Sequence, residues 1–354
     1  MNAQFTQHNL IFKQASGTSR GVLTTKETYL LEISKNGQKG IGECAIFRGL
    51  SYDDVPDYEE KLTWLCKNIN LDFEVLKKEL LHHPSIIFGL EQALLNLEHG
   101  EDLYFPSDFT DGKDSIKING LIWMGNADFM QSQIEEKLAK GFDCIKLKIG
   151  VDWKSEKEII KKLREKFPKE QLELRVDANG AFSYEEATIV LQELADLGIH
   201  SIEQPIKKSQ VKTKKSQKTD EINSTDYCVP WNEMAKLCAE TPTPIALDEE
   251  LIGIIDFEEK KKLLETIKPQ YIILKPALVG GFSGSDEWIA IAESLGINWW
   301  ITSALESNIG LNAICQYTYT KKNPLPQGLG TGALFTNNFE THLQLEGDQM
   351  WHKK

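Results

Sequence analysis

"DCIKLKIG", residues 143–150, has the apolar run of a buried strand in Cys144, Ile145, Leu147 and Ile149. Two lysines interrupt it, Lys146 and Lys148. Side chains two residues apart share one face of a strand. Two ammonium groups therefore stand side by side where burial is expected, and buried charge is tolerated only with partners.

The partners emerge from the rhythm around this stretch. From residue 115, short apolar runs ("SIKINGLIW", "DCIKLKIG", "LELRVDANG", "IHSIEQP", "TPIALDEE", "QYIILKPALVGG", "INWWITSALESNIG") alternate with amphipathic helical segments. Ser183-Tyr184-Glu185-Glu186 is a capping box, and Asp256 and Ser285 are suited to N-cap two further helices. Strand–helix alternation gives a parallel sheet. Seven or eight units predict a (β/α)8-type barrel. A doubly wound open sheet is the competing architecture, but no G-x-G-x-x-G follows any of these strands.

Each run ends in a polar group that a purely structural strand would avoid: Lys146 and Lys148, Asp177 with Asn179, Glu203, Asp248 with Glu249, Lys275, then Ser303 and Glu306. The gaps are 29 residues from Lys148 to Asp177, 26 to Glu203, 27 from Asp248 to Lys275 and 28 to Ser303. That is one βα unit each time. The 45-residue gap from Glu203 to Asp248 exceeds one unit by about the length of "KKSQVKTKKSQKTDEINST", 207–225, a polar loop inserted after the fourth barrel strand. Recurrence at one place per unit puts these groups on one rim, the C-terminal face where barrel active sites form.

Three carboxylates, Asp177, Glu203 and Asp248, repel one another unless a cation sits among them. Oxygen ligands without His or Cys favour a hard ion such as Mg²⁺. Lys148 and Lys275 come from strands flanking the carboxylates and should face each other across that ion. A lysine beside another cation has its pKa lowered and can act as a base. A metal and two lysines suit removal of the proton α to a substrate carboxylate. Each carboxylate could instead be an N-cap or salt-bridge partner, and Lys146 could snorkel from the barrel end, but three carboxylates in register favour the site.

The first hundred residues read as α+β. "TYLLEISKNGQKGIGECAIF" holds two strands around the turn signal Asn36-Gly37, and helical patterns follow near 57–68, 71–82 and 84–98. The turn-rich segment 99–114 marks a boundary. The net charge of −13 disfavours nucleic acid and anionic membranes as partners, and no lysine in the 207–225 loop is interleaved with aromatics. No apolar run reaches the roughly 18 residues of a membrane span, and the N-terminus lacks the order of a secretory signal. Six scattered cysteines without a C-x-x-C fit a reduced, cytoplasmic protein. Nothing in the sequence speaks to the oligomeric state.

Lys146-Leu147-Lys148, Asp177-Ala178-Asn179, Glu203-Gln204-Pro205, Asp248-Glu249-Glu250 and Lys275-Pro276, in this order and spacing, resemble the enolase superfamily in its muconate lactonizing enzyme-like subgroup. The resemblance spans nearly the whole chain. It implies an α/β fold, a modified TIM barrel (β/α)7β over 113–329, with an N-terminal α+β capping domain over 1–112 completed by about 330–354. "SGTSRGVL" (16–23), "INGLIWMG" (118–125), "SALESNIG" (303–310) and "GLGTGALF" (328–335) are similar to the branch that dehydrates 2-succinyl-6-hydroxy-2,4-cyclohexadiene-1-carboxylate. Carried over, Lys148 is the base, Lys275 stabilises the enediolate from the other face, and Lys146 supports Lys148. Asp177, Glu203 and Asp248 hold Mg²⁺, for which Mn²⁺ can substitute, with Asn179 and Glu249 supporting them. Arg20, Ser303, Glu306, Ser307 and Asn308 lie near a small carboxylate substrate. The rival outcomes are racemisation of N-succinylamino acids, epimerisation of dipeptides, and a non-catalytic binding barrel. Dipeptide epimerases commonly show an Asp-x-Asp after the last strand, and "GLGTGALF" has no acid there.

Overall fold

An antiparallel hairpin opens the chain: β1 (Asn2–Thr18) pairs with β2 (Gly21–Lys35), and β3 (Gln38–Cys44) adds to β2. The structure is a computed structural model that describes residues 1–18, 21–123, 127–209 and 231–353, and the backbone alone of 15–18, 21 and 127. At the β2–β3 turn, Asn36 and Gly37 have φ of 53° and 83°, the two left-handed residues that a two-residue hairpin loop needs. Helices α1 (Tyr58–Asn68), α2 (Phe73–Glu79) and α3 (Pro84–His99) follow close to their expected positions. α3 lies directly on β3: a side chain at Gly40 or Gly42 would collide with the α3 carbonyls of Ala93 or Gly89.

The expected single strand "SIKINGLIW" divides in two. β4 (Ile116–Lys117) joins a small antiparallel sheet, and β5 (Gly120–Ile122) starts the barrel. Between them the Ile118 and Asn119 amides turn to the carbonyls of Asp348 and Gln327. Then follow α4 (Ala127–Ala139), β6 (Cys144–Lys148), α5 (Trp153–Lys166), β7 (Glu173–Asp177), α6 (Tyr184–Asp196), β8 (Ser201–Glu203), α7 (Asn232–Glu240) and β9 (Ile245–Leu247). The barrel continues through α8 (Phe257–Ile267), β10 (Tyr271–Leu274), α9 (Pro276–Val279), α10 (Gly281–Ser294), β11 (Asn298–Ile301) and α11 (Asn308–Thr320). The hairpin β12 (Leu343–Glu346) and β13 (Gln349–His352) pairs with β4.

β5 to β11 form one parallel seven-stranded sheet in sequence order. Gln327 and Gly328 bridge its two edges, pairing in parallel with Ile118 and with Thr302. That short eighth strand gives the (β/α)7β pattern, and the open-sheet alternative is set aside. Segment 334–336 hydrogen-bonds back to β1 through Lys13 N to Leu334 O and Thr336 N to Ile11 O, both 2.8 Å.

Local signals fare unevenly. Ser183 and Glu186 form the expected capping box on α6, and the Asp256 carboxylate accepts from Glu258 N and Glu259 N at the start of α8. Ser285 is no N-cap. Gly280 and Gly281, at φ of 100° and 77°, turn the chain from α9 straight into α10, so that helix starts before Ser285. The Ser285 hydroxyl instead donates to Gly281 O at 2.8 Å inside the helix. The cap of α10 comes from far away in the chain: Glu91 on α3 accepts from Phe282 N (2.5 Å) and Ser283 N (3.2 Å). The inserted loop lies outside the described residues from 210 onward, and its start is held at the rim by Ser209 N donating to Glu250 at 3.1 Å. Among the described residues, no helix is long and apolar enough to cross a membrane.

Candidate active site

The strand ends of the barrel bring the polar series together. Lys148 is in register with Asp177, and Asp177 with Glu203, so β6, β7 and β8 present these side chains as a row. Asp248 follows β9, Lys275 follows β10 and Ser303 lies just beyond β11. On the other face of β6, Ile145 and Leu147 join the main hydrophobic core. The two lysines of this strand thus stand on its polar face.

Asp177, Glu203 and Asp248 are each 2% exposed. Lys148 Nζ donates to Asp177 Oδ2 at 2.8 Å and to Asn179 Oδ1 at 2.5 Å. Lys146, one layer deeper, donates to Glu203 Oε2 at 2.7 Å and stands 3.5 Å from Asp177. Lys275 pairs with Asp248 and lies 3.9 Å from Glu203 Oε1. Lys148 and Lys275 therefore attach to opposite ends of the carboxylate row. Asn179 Nδ2 donates to Glu249 Oε1 at 3.1 Å, joining two more polar side chains to it.

Four carboxylates face three lysines, and their mutual charges shift four of these groups, Lys146, Lys275, Asp248 and Asp177. Burial opposes the charge of Lys146, but Glu203 and Asp177 outweigh it and raise the pKa above the ordinary lysine value. Burial likewise opposes Lys275, and Asp248, Glu203, Glu249 and Asp177 override it upward. Burial, with Glu249 and Glu203 nearby, pushes Asp248 up despite Lys275. Asp177 goes the other way: Lys148, Lys146 and Lys275 overcome its burial and hold it well below the usual carboxylate range. At Lys146 and Lys275 the expected lowering by a neighbouring cation is thus reversed, because the anions outnumber the cations.

The donor set fits a hard divalent cation. Asp177, Glu203 and Asp248 offer only oxygens, and Glu203 Oε1 is buried without a hydrogen bond. A cation bound there would pair that oxygen and offset the surplus negative charge. The lysines stand between the carboxylates, whose oxygens do not all lie within 4.8 Å of one another.

The backbone around the row is unusual. Asn179, Gln204 and Leu305 take left-handed φ of 45°, 41° and 64°, a conformation that concentrates at functional sites. Gln204, fully buried, accepts from Asp248 N (3.3 Å) and Glu250 N (3.2 Å) and so ties the end of β8 to the turn after β9.

A cleft of about 800 Å³ opens over the row. Lys146, Lys148, Asp177, Asn179, Glu249 and Lys275 form its polar side, while Glu203 and Asp248 sit behind that surface. Phe47, Leu50, Leu121, Trp123 and Leu305 form an apolar side, with Asn119, Ser303 and Thr331 among its polar groups. Of the expected substrate residues, Ser303 lines the cleft and Arg20 falls outside the described residues. Glu306, Ser307 and Asn308 do not line it. Glu306 lies behind Ser303, accepting from its hydroxyl at 2.5 Å. Ser307 caps α11 and donates to Glu43 of β3 at 2.5 Å. Asn308 is held by Asn338 (2.8 Å) and by the Phe339 carbonyl (2.5 Å). Asn119, Leu121, Trp123 and Thr331 lie in stretches that carried the resemblance but had no assigned role. Phe47 and Leu50 reach in from the capping region and carry no sequence signal.

A family described as enolase C-terminal domain-like matches residues 130–222 and 228–349. The o-succinylbenzoate synthase of Desulfotalea psychrophila is 42% identical over 98% of both chains. This chain belongs to the enolase superfamily. The superfamily barrel also appears in the crystal structure of MenC from Desulfotalea psychrophila, which superposes with a TM-score of 0.84 at 40% identity over 99% of both chains. The N-succinylamino acid racemase of Thermus thermophilus is 34% identical over 50% of this chain and 40% of its own. Within the superfamily, the lysines on β6 and after β10 and the carboxylates between them occupy the rim where barrel chemistry takes place.

Proposed function

We propose that this chain is an o-succinylbenzoate synthase, which dehydrates 2-succinyl-6-hydroxy-2,4-cyclohexadiene-1-carboxylate to 2-succinylbenzoate in menaquinone biosynthesis. The observation that carries this reading is the end-to-end likeness to the Desulfotalea psychrophila synthase, 42% identical over 98% of both chains. The rim geometry supports it.

Lys148 Nζ, as the neutral amine, takes the proton from the ring carbon bearing the carboxylate. The electron pair left on that carbon is delocalised into the carboxylate as an enediolate. Lys148, now an ammonium, returns the proton to the departing hydroxyl, so hydroxide leaves as water and the ring becomes aromatic. Lys275, at the other end of the row, keeps its positive charge and stabilises the anionic ring system. Lys146 holds Glu203 in place. Mg²⁺ bound by Asp177, Glu203 and Asp248 would supply Lewis-acid polarisation of the substrate carboxylate. The apolar side of the cleft, with Phe47, Leu50, Leu121 and Trp123, packs the ring and keeps bulk water from it.

The racemase reading uses the same lysines and reprotonates the carbon instead. The likeness to the Thermus thermophilus racemase, over half of this chain, favours testing it as a second activity. The rim segment at Gly328, Gly330 and Thr331 offers no carboxylate for an ammonium group, against a dipeptide substrate.

The purified chain with Mg²⁺ and the cyclohexadiene substrate should form 2-succinylbenzoate, followed by its absorbance. No turnover, beside rapid α-proton exchange on an N-succinylamino acid, would overturn the synthase reading in favour of the racemase.

A further inference from the structure

Asp102, His342 and His352 meet outside the catalytic cleft. Asp102 lies in the segment after α3, His342 just ahead of β12, and His352 in β13. One ligand atom from each falls within 4.8 Å of the other two. His342 Nδ1 is 2.6 Å and His352 Nε2 3.0 Å from the same oxygen, Asp102 Oδ2. We propose that these three side chains form a zinc site that staples the C-terminal hairpin to the segment joining the two domains.

The supports are rigid. Asn312 and Gln316 of α11 donate to the Asp102 carbonyl at 2.9 and 2.8 Å, which fixes the backbone of the carboxylate ligand. His352 is fully buried on a paired strand beside the Phe109 ring. Lys353 N donates to the His342 carbonyl at 2.8 Å, tying the residue after His352 to His342 across the hairpin. The second Asp102 oxygen, Oδ1, is buried without a hydrogen bond, an independent sign of an unfilled anionic position.

The chemistry selects the ion. Two imidazoles and one carboxylate form a borderline nitrogen–oxygen set, which suits zinc and is poor for Mg²⁺. Zinc bonds of about 2.0–2.1 Å place tetrahedral ligand atoms about 3.3 Å apart. The observed 2.6 Å at His342 and 3.0 Å at His352 need to open by about 0.7 and about 0.3 Å to reach that spacing. The His342 side chain, 44% exposed, can make that movement and leaves the fourth position to water. His352 Nδ1 has no acceptor. A metal-bound imidazole without such an outer partner binds roughly 10–100-fold more weakly than one fully supported. The expected site is therefore exchangeable by dialysis. The rim carboxylates, all oxygen, take the hard ion, so the two sites sort metals by donor type.

The test is equilibrium dialysis of the full chain against Zn²⁺ with Mg²⁺ in large excess to occupy the rim, followed by elemental analysis. The proposal expects one zinc per chain in the wild type and none in His342→Ala, with the Mg²⁺-dependent activity of the variant unchanged. Co²⁺ in place of zinc should give the strong visible absorption of a four-coordinate ion, lost in the same variant and in Asp102→Asn. No retained zinc would overturn the proposal and leave a hydrogen-bonded clasp. Zinc retained equally by His342→Ala would also overturn it, by placing the ion elsewhere.

Discussion

Two sets of buried carboxylates hold this molecule together, and they are answered differently. On the barrel rim, Asp177, Glu203 and Asp248 are met by ammonium groups. At the seam between capping domain and barrel, Glu43 and Glu91 take their hydrogen bonds from neutral donors, and Lys26 and Lys77 act on them only through space. Glu43 accepts from Ser307 N (3.0 Å), Ser307 Oγ (2.5 Å), Gly310 N (2.9 Å) and Thr28 Oγ1 (2.8 Å). Glu91 accepts from the first amides of α10. Fixed N–H donors at a helix start orient a carboxylate and satisfy the helix, a structural task. Mobile ammonium groups can pass a proton or give way to a metal. The kind of partner, more than burial, separates the carboxylates proposed to hold the metal from the structural ones.

The largest effect that sharpens this contrast is expected at the rim. Lys275→Ala should reduce dehydration about 10²–10⁴-fold, the range for a lost acid–base or charge-stabilising group, while circular dichroism and melting temperature change little. Near-normal activity would return Lys275 to a structural role. The seam should show the reverse. Glu43→Ala strands at least two buried N–H groups, at ~1–3 kcal/mol each, so the chain should lose roughly 2–6 kcal/mol in urea unfolding. An unchanged midpoint would mean that the seam carboxylate contributes nothing.

The smallest expected effect is a pH dependence at Glu91. Burial pushes its carboxyl up to about 7 from an ordinary 4.5, against the hydrogen bonds from Ser283 and Phe282 that favour ionisation. The folded state thus binds the proton more tightly than the unfolded chain. The associated stability is complete below about pH 4.5 and is lost as pH rises to about 7. The stability of wild type relative to Glu91→Gln should therefore fall across that window, read as the difference in melting temperature. A flat difference would contradict the raised pKa.

The rim was legible in the sequence because its signal repeats. One charged residue recurs per βα unit, and parallel strands translate that period directly into a ring. Asn36-Gly37 and Ser183–Glu186 were legible because turn and cap chemistry are local. The seam was not, because Glu43 meets Ser307 across 264 residues of chain and Glu91 meets Phe282 across 191. The same distance hid the true start of α10: with a carboxylate supplied from α3, the helix needs no capping side chain of its own, and Ser285 misleads. Ser307 and Glu306 drew a substrate role from the resemblance, yet they hydrogen-bond to Glu43 and to Ser303 and do not line the cleft. Phe47 and Leu50 are apolar residues among many, and only the closure of the capping domain over the barrel brings them to the cleft.

Lys148, on the strand that interrupts its apolar run with two cations, is the group we propose moves the proton. The direct test is Lys148→Ala with Mg²⁺ and the cyclohexadiene substrate, measuring substrate binding and single-turnover dehydration on the same preparation. Binding should stay close to wild type while dehydration slows about 10²-fold or more. A variant that binds and dehydrates at near the wild-type rate would contradict this role for Lys148.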